Sequence, residues 1–201
     1  MNPRSAFALI CAGTLLLTGC ASAPDAHFYT LLGNSGVPYG SDNATSSGAS
    51  IAIGSVTLPE TVDRAELVIR TGANRVMVMD SQRWAESLKS AIPRVIADDV
   101  SKLLGGAMVS VQSDNASRDA KYLVSIDITR FDSTLNEAAT IEAFWSVRLA
   151  AGGPTKSGKS AFRIPVHGGG FDELVAAHAL ALAGLSGEIA VKITAMEMAA
   201  D

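Results

Sequence analysis

Ser81-Gln82-Arg83-Trp84-Ala85-Glu86-Ser87-Leu88-Lys89-Ser90-Ala91-Ile92-Pro93-Arg94-Val95-Ile96-Ala97-Asp98-Asp99-Val100-Ser101-Lys102-Leu103-Leu104, closed by Gly105-Gly106, is the stretch on which the fold turns. Trp84, Leu88, Ile92, Val95, Ile96, Val100, Leu103 and Leu104 recur at three- and four-residue spacing. Arg83, Glu86, Lys89, Arg94, Asp98 and Lys102 mostly fall elsewhere. That period predicts an amphipathic helix laid on a sheet. Asp80 or Ser81 can cap its start and the two glycines can stop it. Pro93 brings no amide donor and crowds the turn before it, so a bend is expected there. A helical stripe is usually core, and Trp84 is assigned to the core rather than to a ligand.

Outward from the helix the period changes. Residues 51–58 place Ile51, Ile53, Val56 and Leu58 in alternation and stop at Pro59, which predicts a strand. Residues 67–70 and 75–79 are short β-type runs around a Thr71-Gly72-Ala73-Asn74 turn. Residues 27–32 read as a strand, and residues 33–50, rich in Gly, Ser, Asn and Asp, as a mobile loop. Downstream, residues 108–112, 122–131, 140–149 and 160–166 are strand candidates, with Asp127, Arg130 and Arg148 facing solvent or one another. A second helix is predicted from about Asp172 to Met196. Its apolar face holds Leu174, Leu182, Leu185, Ile189, Ile193 and Met196, with His178 as a satisfied core histidine. Gly184 and Gly187 each cost roughly 1 kcal/mol against alanine, a cost explained if the helix lies close on the sheet. The pattern amounts to a single α/β domain, a mixed β-sheet with two long helices packed against it.

The chain opens with Arg4, an apolar run of 11 residues from Phe7 to Leu17, and the lipobox Leu17-Thr18-Gly19-Cys20. This is the layout of a bacterial lipoprotein signal peptide. The run is too short to span a bilayer, which takes about 20 apolar residues in a helix. Residues 1–19 are accordingly read as a cleaved signal peptide, 20–26 as an acylated tether and 27–201 as the folded domain. Cys20 is the expected lipidation site, its thiol taking diacylglycerol and its amine a third chain. Each buried methylene adds roughly 0.8 kcal/mol, and one myristoyl chain binds only marginally, so three hold firmly. In such lipoproteins an aspartate just after the cysteine retains the product at the inner membrane. Ala21 and Ser22 stand there, and the first acid is Asp25. The expected location is the periplasmic face of the outer membrane.

Removing residues 1–19 takes away Arg4 and no acid, so the formal charge of −4 becomes −5. An acidic domain lacks the clustered Lys and Arg that nucleic acid needs. It is also repelled on average by anionic headgroups, which leaves attachment to the acyl chains. Cys11 departs with the signal and Cys20 is modified, so no disulfide or thiolate chemistry is expected. His27, His167 and His178 have no ligand spacing, and neither a metal nor a cofactor is expected. Asn43-Ala44-Thr45 matches a glycosylation acceptor, which means little in a bacterial envelope.

Gly153-Pro154-Thr155-Lys156-Ser157-Gly158-Lys159-Ser160 matches the phosphate-binding pattern G-x-x-x-x-G-K-[ST] in full. The chemistry also needs a helix opening at Lys159-Ser160, so that its amides and dipole face the phosphates. Ala161-Phe162-Arg163-Ile164-Pro165-Val166 alternates like a strand, and Pro165 would break such a helix. Residues 151–157 are read as a hairpin turn, and nucleotide binding ranks last among the functions weighed.

The stretch Val56-Thr57-Leu58-Pro59-Glu60-Thr61-Val62-Asp63-Arg64-Ala65-Glu66-Leu67-Val68-Ile69-Arg70 resembles the core signature of the paraquat-inducible protein C (PqiC) family, the ABC-type transport auxiliary lipoproteins. Trp84-Ala85-Glu86-Ser87-Leu88 matches the family's W-A-E-x-L, and Phe28-Tyr29-Thr30-Leu31 lies soon after the cysteine, as in its members. Thr61-Val62 departs from the aromatic or leucine often found there. The resemblance implies a non-catalytic outer-membrane component of an ABC transport system built around an MCE-domain protein, moving lipids or other hydrophobic molecules between membranes. Lipid cargo on the domain itself and assembly into a homo-oligomer are both compatible with it. The alternative is a structural envelope lipoprotein that never touches cargo. The motif residues Leu58, Pro59, Asp63, Arg64, Arg70, Trp84 and Leu88 need not form a site. Pro59 with Asp63-Arg64 reads as turn chemistry, Asp63 bonding nearby amides, and Arg70 as neutralising a carboxylate.

Overall fold

The computed structural model describes residues 25–33, 49–112 and 114–199. The signal peptide, Cys20 with most of the tether, most of the 33–50 loop and the Asn43 acceptor lie outside these residues. The elements run β1 (His27–Tyr29), β2 (Ser50–Thr57), β3 (Glu66–Gly72), β4 (Arg75–Trp84), α1 (Leu88–Leu103) and β5 (Met108–Val111). A 3-10 turn (Asn115–Asp119) leads into β6 (Tyr122–Thr134), β7 (Ala138–Leu149), β8 (Lys156–Pro165) and α2 (Phe171–Met198).

The expected mixed α/β domain with two long helices is present, with its strands divided between two mixed sheets instead of one. The larger has the order β5-β2-β6-β7-β8 and the smaller β1-β4-β3. β5, β2 and β6 run parallel, while β6, β7 and β8 form an antiparallel meander. Both helices pack on one face of the large sheet, α1 over β2 and β5 and α2 over β7 and β8. Ile51, Ile53, Tyr122, Val124, Ile126, Ile128, Ile141 and Val147 point into that layer. They meet Leu88, Ile92, Ile96 and Val100 of α1 and Leu182, Leu185, Ile189 and Ile193 of α2, all 2% exposed or less, so the layer is filled by the chain's own side chains.

Helix α1 starts six to seven residues later than its stripe suggested. Ser87, not Asp80 or Ser81, is the cap, its Oγ accepting from the amide of Ser90 at 3.3 Å. Trp84 therefore closes β4. It is core as expected, but a helical period and a strand alternation both turn this residue inward, and the sequence pattern does not separate them. Gly105 and Gly106 stop α1 with φ of 68° and 85°, a left-handed turn that other residues enter at a cost. Pro93 is accommodated inside the helix as a buried residue.

Helix α2 is long and apolar enough by composition to cross a membrane, yet most of that stretch is buried against the sheet. Gly184 fits the close approach inferred for it: a Cβ there would lie 2.5 Å from Phe162 Cε1 on β8. Gly187 does not, since a Cβ there would meet nothing within 4 Å, and the structure gives no packing reason for it.

Candidate functional site: an arginine–carboxylate junction between two sheets

The signature residues converge where the small sheet meets the large one. After β2, Pro59 opens a turn closed by the Val62 amide donating to its carbonyl at 3.1 Å. Asp63 does not bond nearby amides as expected. Its Oδ2 accepts from the Lys89 ammonium at 2.5 Å, which ties the turn to the first turn of α1. Arg64 sits 3.5 Å from Glu66, and Arg83 on β4 donates to the same carboxylate at 2.5 Å. A backbone amide first, and the Arg83 bond second, hold the Glu66 carboxyl below its ordinary range. The Trp84 amide donates to Ala65 O at 2.7 Å, and that of Ala85 to Tyr29 O at 2.8 Å. Leu58 packs half-buried against the main core, and Leu88 is buried at the head of α1.

Arg70 neutralises a carboxylate as anticipated, and its partner lies 62 residues away on β6. Its Nε and Nη2 donate to the two oxygens of Asp132 at 2.9 and 2.8 Å, a two-pronged pairing that fixes the planes of both groups. Arg130 donates to Asp132 at 2.6 Å and to Glu142 on β7 at 3.0 Å. Burial pushes the Asp132 carboxyl up, but the bonds and charges of Arg70 and Arg130 outweigh it and hold the group below its ordinary value. Arg70, Arg130, Asp132 and Arg163, the last bonded to Glu137 at 2.6 Å, line a groove of about 370 Å³ beside the β3–β4 turn. Three guanidinium groups face three carboxylates, and each arginine is paired. The arrangement clamps the two sheets together and has no uncompensated charge to offer a ligand.

Behind the clamp a column of rings runs through the core. Trp84 meets Phe131 edge-on at 6.4 Å, and Phe131 stacks on His178 of α2 at 4.0 Å and 3°. His178 is fully buried with its Nε2 2.8 Å from Ser133 Oγ. Burial lowers its pKa to about 3, the nearby Asp132 charge opposing only weakly, so the ring is neutral. A serine–histidine pair is half of a nucleophilic site. Here both members are sealed from solvent; His178 is core as expected but satisfied only at Nε2, its buried Nδ1 having no hydrogen-bond partner among the described residues. Its strand partner Ser133 and the ring column left no periodic signal in the sequence.

The phosphate-binding letters fall on the β7–β8 turn and on β8 itself. No helix opens at Lys159-Ser160, which lie mid-strand. Ser160 is committed elsewhere, its Oγ accepting from Trp145 Nε1 at 2.7 Å and donating to Glu188 of α2. Lys159 lies over the Phe144 ring at 5.5 Å, on the helix-free face of the large sheet. A register row crosses that face through Thr57, Asp127, Phe144 and Lys159, with a shallow groove of about 730 Å³ along it. Asp127, Arg130 and Arg148 are exposed, as expected. Among the described residues no group of three or more His, Cys, Asp or Glu is placed to hold a metal ion.

A two-sheet α/β domain, clamped at its junction by ion pairs and with the Ser133–His178 pair sealed in the core, is the class that these features define. The chain belongs to the ABC-type transport auxiliary lipoprotein component family, whose model matches residues 29–190. Its fold is similar to that of protein XCC0632 from Xanthomonas campestris, at a TM-score of 0.68 and 16% identity over 87% of this chain and 100% of that one. An uncharacterized protein of known crystal structure is similar at 0.68 and 18%, over 84% and 99%. The PelC dodecamer from Paraburkholderia phytofirmans matches more loosely, at 0.45 and 13% over 70% and 88%. No curated protein matches the chain.

Proposed function

We propose that this chain is a non-catalytic outer-membrane lipoprotein that serves a transport system moving lipids or other hydrophobic molecules between membranes. Acylated Cys20 holds it at the periplasmic face, and the folded domain, residues 27–201, docks against an MCE-domain protein. The observation that carries this reading is the family match over residues 29–190, following directly on a lipobox that ends at Cys20. The filled layer between helices and sheet supports a docking role over a carrier role, since a carrier needs interior space for an acyl chain. The same observation favours a second reading, a structural lipoprotein that stabilises an envelope assembly without contacting cargo. Purification in mild detergent with identification of the retained proteins separates the two. A co-purifying MCE-domain protein supports the docking role, and its absence beside other envelope proteins supports the structural reading.

A further inference from the structure

We infer that the β3–β4 hairpin is a second membrane contact, seated on the bilayer surface that Cys20 enters. Val76, Met77 and Val78 are consecutive on β4 and 44%, 47% and 36% exposed. Consecutive strand residues point to opposite faces, so β4 offers apolar side chains on both faces here, while Val68 and Ile69 opposite them on β3 are buried. Among the described residues the outer edge of β4 is also unpaired here, because β1 pairs with it only at Gln82–Trp84.

Chain geometry names the occupant. β1 runs parallel to β4 with His27 opposite Gln82, so the chain upstream of His27 leads toward Val78. Five residues separate Asp25 from Cys20 and span at most about 18 Å. The bilayer surface therefore lies within that distance of Asp25. At about 3.3 Å per residue, Val76–Val78 reach roughly 7 to 13 Å beyond the level of Asp25 along the line of β1. Even fully extended, the tether lets the bilayer surface stand only about 5 Å beyond Val76, and any shorter course brings the two into contact.

Charge agrees with this placement. Residues 67–79 contain two arginines and no acid, in a chain that is acidic as a whole. Arg70 is spent on Asp132, while Arg75, at the tip, has no ion pair among the described residues. An apolar tip flanked by an uncommitted cation suits the anionic headgroup layer.

The inference rests on the acylation of Cys20, and its test separates the two. The full chain carrying Met77→Cys is expressed, processed, reconstituted in phosphatidylethanolamine–phosphatidylglycerol vesicles and labelled with an environment-sensitive thiol dye. Val191→Cys, on an exposed position about 30 Å along α2 from Phe171, is the control. Spin-labelled phospholipids are expected to quench the dye at position 77 severalfold more than at 191. Equal quenching at the two positions overturns the inference, as does a disulfide-linked or self-quenched pair at 77, which would assign the hairpin to a second copy. Dye uptake by the unsubstituted protein would show a free Cys20 thiol and overturn the acylation reading instead.

Discussion

The Arg70 guanidinium on β3 grips both carboxylate oxygens of Asp132 on β6, at 2.9 and 2.8 Å, and so joins the small sheet to the large one. β3 and β6 make the contact between the sheets, and this pairing lies in it. Arg130 supports the same carboxylate from within β6.

Arg70→Ala is expected to destabilise the domain by about 1–2 kcal/mol, because a half-buried carboxylate then keeps one cation of two. Arg70→Lys should recover less than half of that loss, since an ammonium cannot match the planar fork. The Asp132 carboxyl has its folded pKa below its unfolded value. Its contribution is therefore present above about pH 4 and lost as the pH falls through the folded value. Urea midpoints at pH 7 and pH 3 check this: the gap between wild type and Arg70→Ala should narrow in acid.

His178 dictates a second pH dependence. The folded state keeps it neutral down to about pH 3, whereas the unfolded chain takes up a proton near 6.5. The unfolded state binds more protons between these values, so stability falls on acidification from 6.5, by at most about 1.4 kcal/mol per pH unit. Replacing the pair together, His178→Leu with Ser133→Ala, should flatten the slope between pH 6.5 and 4.5. An unchanged slope would mean that His178 is not held neutral by burial.

The two helical glycines should answer alanine in opposite directions. Gly187→Ala has open space and is expected to stabilise α2 by about 0.5–1 kcal/mol. Gly184→Ala drives a methyl into the Phe162 ring and should cost about 1–2 kcal/mol net. Thermal denaturation of the two variants side by side decides the matter.

Lys159→Ala should change stability by less than about 1 kcal/mol, the scale of an exposed cation–π contact. Magnesium-ATP should shift neither protein's melting temperature. A nucleotide-dependent rise that this variant abolishes would restore the phosphate-binding reading.

Local period was enough to place the core of both helices, because Ile92, Val95, Ile96 and Val100 bury one continuous stripe. It failed at Asp80-Ser81-Gln82-Arg83, a polar run that resembles a helix start. These residues are strand because backbone partners hold them, Gln82 against His27 and Arg83 against Glu66. Such partners lie far apart in the chain and leave no local mark, which is also why the division into two sheets was not visible. The junction was legible only in half. Arg70 announced a need for a carboxylate, but Asp132 sits among alternating strand residues, and only the fold brings the two together.

The most direct test of the proposed role is photo-crosslinking in cells, with photoreactive residues placed in turn at the exposed positions Phe144, Met108 and Val191. The account predicts that at least one position traps an MCE-domain protein, and that the adduct disappears when Cys20→Ala removes the anchor. Absence of an MCE-domain adduct at all three positions, or an adduct undiminished by Cys20→Ala, would contradict it.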